Sequence, residues 1–293
     1  MSAPLNWIQF IGAVELGLIY SLVVIGVYLS FRTLQFPDMT VDGSFPLGAA
    51  VAATLITAGV NPYAATLAAT LAGAAAGMVT AWLATHLRML NLLAGILTMT
   101  ALYSVNLRIM GRPNIALLGE KTIFSGSLGQ LPTYLSLGII TIAVSFGVYW
   151  FLSTRLGMAV RATGSNAKMG RAQGINDRRM ITTGLSTANA LVALGGALFA
   201  QVHGFADVTM GLGTIITGLA AVIMGEALFS TRTVFHAIIA CMLGGILYFL
   251  IRAMALNVEG FQASDLNLVT AILVATAMLL PNLKSKVRKG RNS

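Results

Sequence analysis

Apolar residues in this chain come in runs of about 20, the length a helix needs to cross a bilayer, separated by short polar stretches. Runs over 8–31, 63–85, 133–153, 181–201, 234–256 and 266–280, with a further one beginning at Asn91, predict membrane helices. Two more stretches, 36–55 and 205–226, are apolar but interrupted by acids, glycines and prolines. Together the runs predict an all-α polytopic membrane protein with about nine transmembrane helices.

The interruptions carry the candidate chemistry. In FPDMTVDGSFPLGAAVAATL, Pro37 and Pro46 bracket Asp38, Thr40, Asp42, Gly43 and Ser44. A proline disfavours helix in the residue before it and removes a donor, so the backbone between the two prolines is expected to be broken. Irregular chain at membrane depth is tolerated only inside protein or beside water, and discontinuous helices are where transporters place substrate. On that basis Asp38, Thr40, Asp42 and Ser44 are candidate pathway residues; the competing reading is a cytoplasmic loop whose aspartates cap the next helix. The pattern then returns: Phe205, Asp207 and Thr209 stand as Phe36, Asp38 and Thr40 do, with Gly213 and Gly218 answering Gly43 and Gly48 after a one-residue shift. Two inverted repeats follow, about 8–153 and 181–281, joined by a loop over 154–180 and followed by a basic tail over 282–293, unless the match between two Gly-rich loops is chance. Glu15, within the first run, and Glu226, at the end of the second interruption, join the pathway candidates because a carboxylate at membrane depth needs water or a partner. For Glu15 an interfacial or packing role competes. Gly73 and Gly77 have the small-xxx-small spacing that lets helices approach closely.

Composition agrees with this pattern: of 293 residues, 57% are hydrophobic and 9% charged, outside the range of soluble domains. The net charge of +9 is a matter of orientation and not of a nucleic-acid partner, because the basic residues lie in loops and the tail. Arg32, Arg88, Arg232, the six of the central loop (Arg155, Arg161, Lys168, Arg171, Arg178, Arg179) and five of the tail fall on one side, leaving Arg108, Arg112, Lys121 and Arg252 of the 18 on the other. By the positive-inside rule the central loop and C-terminus are cytoplasmic and the N-terminus outside. The first residues lack a positively charged start and a small-residue cleavage site, so the first run is expected to remain as a helix. Single Cys241 and scattered His86, His203 and His236 offer neither a disulfide framework nor metal-ligand spacing.

The central loop is the longest polar island among the apolar runs. Its chemistry predicts two short helices, one with Thr154 as N-cap and Gly164 just past its end, the next with Ser165 as N-cap and Gly174 just past its end. A docking surface and a solvated basic connector are both open. The order Gly157, Arg161, Ala162, Gly164, Asn166 and Gly174-Ile175 resembles the cytoplasmic coupling loop of ABC importer permeases of the ribose and branched-chain amino acid type. The stretch NLLAGILTMTALYSVNLRIMGRPNIALLG, from Asn91 to Gly119, resembles the permeases of tryptophan- and tyrosine-type ABC importers almost residue for residue. This resemblance covers nearly the whole chain, from about Glu15 to Leu280.

The resemblance implies a transport subunit of a bacterial inner membrane that is not itself an enzyme. It implies a pair of permease copies, ABC ATPase subunits that hold ATP and Mg, an extracytoplasmic binding protein, and an amino acid as cargo, with an aromatic one indicated by the 91–119 match. It also gives the loop residues named above the role of ATPase coupling. Independently of it, no GxxxxGK[ST] occurs in the chain, so phosphates have no P-loop to cradle them and ATP hydrolysis requires a separate subunit. No catalytic constellation and no cofactor site are expected. An ion-coupled secondary transporter, with Glu15, Asp38, Asp207 and Glu226 as ion sites, is the alternative that the acids and repeats also allow.

Overall fold

The computed structural model describes residues 7–125, 131–229 and 231–257. Its helices are Trp7–Val27 (α1), continued by a π-helical stretch Tyr28–Thr33, Val41–Thr57 (α2), Pro62–His86 (α3), Asn91–Met110 (α4), Thr133–Ser153 (α5), Arg155–Ser165 (α6), Ala167–Ala172 (α7), Asp177–His203 (α8), Thr214–Leu228 (α9) and Val234–Leu256 (α10). Among the described residues 6 helices, α1 with its π-helical extension, α3, α4, α5, α8 and α10, are long and apolar enough to cross a membrane. α2 and α9 are shorter apolar helices. The fold is therefore helical and polytopic, with one small departure from all-α: Asn114–Ala116 (β1) and Phe205–Asp207 (β2) pair antiparallel, Ile115 opposite Ala206. The expected span at 266–280 and the basic tail lie outside the described residues.

Helix α8 is the centre of the packing, buried over 72% of its most apolar window against 28% for α4, and it touches α1, α2 and α3. Between apolar helices in lipid no hydrophobic force remains, so close approach through small residues does the packing. The predicted Gly73/Gly77 stripe of α3 lies directly on α8: a Cβ on Gly73 would come within 2.3 Å of the Ala193 Cβ, and one on Gly77 within 2.3 Å of the Leu185 carbonyl oxygen. Beside this seam the largest core cluster gathers Val23, Val24 and Val27 of α1, Phe45 of α2, Val192 of α8, Val222 of α9 and Tyr248 of α10. Conversely, Leu135, Ile139, Ile142, Phe146 and Trp150 form an exposed apolar stripe along α5, the surface a membrane helix presents outward.

Two sequence expectations are corrected. The chain is not broken all the way from Pro37 to Pro46: the irregular segment ends at Thr40, and α2 runs through Pro46. Pro46 cannot bond the carbonyl of Asp42 one turn earlier, and that oxygen lies instead against Gly211, where a Cβ would stand 2.0 Å from it. The break is made upstream, where the π-helical turn ends with Leu34 N–H donating to Leu29 O at 3.0 Å, Gln35 takes φ +53, and the Asp38 carboxylate accepts from Thr40 N at 2.9 Å. In the central loop, Thr154 does cap α6, but α6 runs through Gly164 to Ser165, and Asn166 rather than Ser165 caps α7 by accepting from Met169 N at 3.0 Å. Gly164 can stay helical because it is needed for approach and not for a left-handed turn; Gly174, at φ +81, makes that turn after α7.

Candidate functional site

The two interrupted stretches meet. Helix α9 opens at Gly213, which has φ +80 and no side chain to offer as a cap. The cap comes from α2: the Asp42 carboxylate accepts from Ile215 N at 2.7 Å and Gly213 N at 3.2 Å. A carboxylate there satisfies amides that the helix leaves orphaned and opposes the positive end of its dipole. Thus the N-terminal ends of two short helices are tied together by one acid, next to a cavity of about 50 Å³ lined by Asp42, Gly43 and Pro46 of α2, Met99, Tyr103 and Asn106 of α4, and Val208, Thr209 and Leu212 of the second loop. Asn106 is fully buried; its amide donates to Gly43 O at 3.3 Å, while its Oδ1 has no hydrogen-bond partner in the protein. A cavity of this size, largely apolar but with Asp42, Asn106 and Thr209 in its lining, has room for water but not for an amino acid.

Asp38 and its neighbours form a second, closed network. The carboxylate, wholly buried, accepts from Asn189 Nδ2 at 2.7 Å in addition to Thr40 N. Asn189 Oδ1 accepts from Ser44 Oγ at 2.7 Å, Asn189 Nδ2 also donates to Leu185 O at 3.0 Å, and Thr40 Oγ1 lies 2.7 Å from Thr80 Oγ1. These bonds tie α2 to α3 and α8 with both Asp38 oxygens engaged, so the network fixes the entry of the chain into α2.

The other candidates lie elsewhere. Asp207, predicted as the counterpart of Asp38, is at the surface on β2, accepting from Thr209 Oγ1 at 2.5 Å, Thr209 N at 2.7 Å and Asn114 Nδ2 at 3.4 Å. The Thr209 hydroxyl, more than any other group, holds its carboxyl below the ordinary carboxylate value. It is Asp42, not Asp38, that faces the second loop. Glu15 sits partly exposed on α1, away from the Asp42 cavity. Glu226, at the end of α9, is held by Arg32 at the end of the π-helical stretch, with Arg32 Nε 2.9 and 3.1 Å from its two oxygens and Nη2 closing the fork.

The central loop packs on the connector that leads to α2. A Cβ on Gly164 would come 1.9 Å from the Thr33 carbonyl oxygen and 2.8 Å from the Leu34 Cα, so α6 rests against the backbone between α1 and α2. Leu34 and Phe36 join Val160 of α6, Ile175 and Met180 in one apolar cluster. Gly157 lies as closely against Phe151 and Leu152 at the end of α5, and its N–H is capped by Thr154 Oγ1 at 3.3 Å. Arg161 points outward and is exposed, and Ala162 is half-buried beside it; Arg171 is tied to Asp177 at 2.5 Å. Sequence reasoning passed over Asn189 and Asn106; the available signal was an amide side chain within an otherwise apolar run.

A model for the family described as branched-chain amino acid transport system / permease component matches residues 10–280. The chain is 39% identical over 273 residues to the tyrosine transport system permease protein of Clostridioides difficile (strain R20291), covering 93% of this chain and 91% of that protein. It is 27% identical over 286 residues to the ribose import permease protein RbsC of Bacillus subtilis (strain 168), covering 96% and 86%. A 128-residue portion is 30% identical to the high-affinity branched-chain amino acid transport system permease protein BraD of Pseudomonas aeruginosa, covering 43% and 39%. No solved structure matches the chain.

Proposed function

Because the chain belongs to the family of branched-chain amino acid transport system permease components, we propose that it is the membrane subunit of an ATP-driven importer that moves an amino acid, delivered by an extracytoplasmic binding protein, into a bacterial cell. Two copies form the membrane part, and ATP and Mg sit on separate ATPase subunits that dock on α6 and α7 from the cytoplasm. The observation that carries this reading is the seat of α6: Gly164 lies on the Thr33–Leu34 backbone, a few residues before Asp38 and Asp42. Movement of a docked subunit at α6 therefore reaches the junction of α2 and α9 through a packed, contiguous chain of contacts. In this reading the two inverted repeats, about 8–153 and 181–281, each contribute one interrupted stretch, and the short helices that follow, α2 and α9, meet with their N-terminal ends at Asp42. The orientation, with Arg32 and α6 inside and β1–β2 outside, follows the loop charges.

The ion-coupled alternative finds less support, because three of its four acids are already engaged, Asp38 by Asn189 and Thr40, Asp207 by Thr209 and Asn114, and Glu226 by Arg32. The test is reconstitution with a candidate ABC ATPase subunit and a candidate extracytoplasmic binding protein. Uptake should require ATP, and Arg161→Glu should uncouple hydrolysis from uptake while leaving the permease inserted. Uptake driven by an ion gradient without ATP would refute the reading, and full coupling in Arg161→Glu would remove α6 from the mechanism.

A further inference from the structure

A larger cavity, distinct from the one at Asp42, lies between α1, α8 and α10. It measures about 550 Å³, within the range of roughly 300–1,000 Å³ that holds small organic ligands. Its walls include Leu16 and Tyr20 of α1, Phe199 and His203 of α8, and Phe249 and Arg252 of α10. The rings are organised: Phe199 and His203 stack with centroids 4.1 Å apart, and Tyr20 and Phe249 lie 4.6 Å apart. Phe45, wholly buried on α2, touches both sets, with centroids 5.3 Å from Tyr20 and 5.7 Å from Phe199. An aromatic floor thus continues from this cavity to the helix that bears Asp42.

Arg252 supplies the charge. It is half-buried with its guanidinium 5.8 Å from the centroid of Phe249, and the ion pairs among the described residues, Arg32–Glu226 and Arg171–Asp177, leave it without a carboxylate. No described residue lining the cavity is an acid. Arginine stays charged in any such setting, and its planar fork matches a carboxylate in two parallel hydrogen bonds. A side chain placed only to reach the interface would need no ring beneath it and no chamber before it.

We propose that this cavity is a solute site for an aromatic amino acid, with Arg252 receiving the carboxylate and the faces of Tyr20, Phe199 and Phe249 holding the ring. The inference rests on the importer reading, to which it adds a site and a substrate class. Flat apolar rings stack on aromatic walls, and a carboxylate is the part of the solute that satisfies the guanidinium.

The test reads the cavity without relying on transport. In the permease assembled with its ATPase subunits in nanodiscs, Ala253→Cys on the cavity wall is labelled with an impermeant methanethiosulfonate reagent; native Cys241 is buried. Millimolar L-tryptophan should slow labelling, whereas tryptamine, which lacks the carboxylate, and L-leucine, which lacks the ring, should not. Arg252→Gln should raise the tryptophan concentration needed for protection at least about tenfold, the scale of one lost charge-assisted pair, and Arg252→Lys should retain part of it. Equal protection by tryptamine, absence of protection by tryptophan, or labelling controlled by lipid composition alone would overturn the proposal. If Arg252→Gln fails to assemble, the tryptophan and tryptamine comparison in Ala253→Cys still decides. ATPase stimulation by the binding protein, measured on the same sample, fails separately if the importer reading is wrong.

Discussion

Asp42 is the residue on which the two interrupted stretches converge, and its role is separable by substitution. Asparagine caps a helix nearly as well as aspartate, while alanine gives up about 1 kcal/mol at a typical N-cap and here orphans the amides of Gly213 and Ile215. Asparagine keeps one accepting oxygen where aspartate offers one each to Ile215 N and Gly213 N, so we expect Asp42→Asn to lower the thermal midpoint of the purified permease less than Asp42→Ala does. Retained uptake in Asp42→Asn would identify the acid as a cap, and lost uptake with the permease still assembled would give its charge a place in the pathway. Asp207 makes a different prediction. Its carboxyl titrates below the ordinary 3.8, so the unfolded chain takes up the proton first on acidification. The stability the group lends is complete above about pH 3.8 and is lost as the pH falls through the lower folded value. The difference in melting midpoint between wild type and Asp207→Asn should hold constant through the neutral range and close only in strong acid; a difference that closes near neutrality would contradict the assignment to Thr209.

At the scale of elements, the seams are made by glycine, and they fail by overpacking. A Cβ on Gly48 of α2 would lie 1.9 Å from the Ala193 carbonyl oxygen of α8, while one on Gly147 of α5 would meet nothing within 4 Å. Gly48→Ala should cost about 1–3 kcal/mol, seen as a lower unfolding midpoint, and Gly147→Ala should be neutral or slightly stabilising because alanine is the better helix former. Gly164→Ala acts at another level: it should lift α6 from Thr33 and leave ATP hydrolysis running with uptake reduced, and normal uptake would show that α6 transmits nothing through that contact. The Gly73/Gly77 seam was legible in the sequence as a spacing, because every fourth small residue lies on one helix face. Gly48 was not, since its partner is a carbonyl 145 residues away that only folding brings near.

For the whole molecule, the loop charges predict sidedness. In sealed cells Lys121→Cys, in the loop after β1, should react with an impermeant thiol reagent added outside, and Lys168→Cys on α7 should react only after permeabilisation; both positions are exposed. The opposite pattern would invert the topology and place α6 where no ATPase subunit could reach it.

The sequence by itself determined the class of this protein. Unbroken apolar runs of bilayer length can be satisfied only by helices, because lipid offers backbone amides no partner, and the polar loops left between them carry the orientation. It also marked the two interrupted stretches and the central loop, since acids, prolines and glycines inside apolar chain are costly and therefore visible. What only the tertiary structure decided is which of these residues meet. Asp38 and Asp207 look equivalent along the chain, yet one is closed into a buried network with Asn189 and the other lies at the surface beside Asn114. Asp42 caps a helix that begins 172 residues after it. A local pattern reports the conformation of a segment, while contacts across such separations depend on how the whole bundle closes, which is where the α2–α9 junction, the contact of Gly164 with Thr33 and the Arg252 cavity come from.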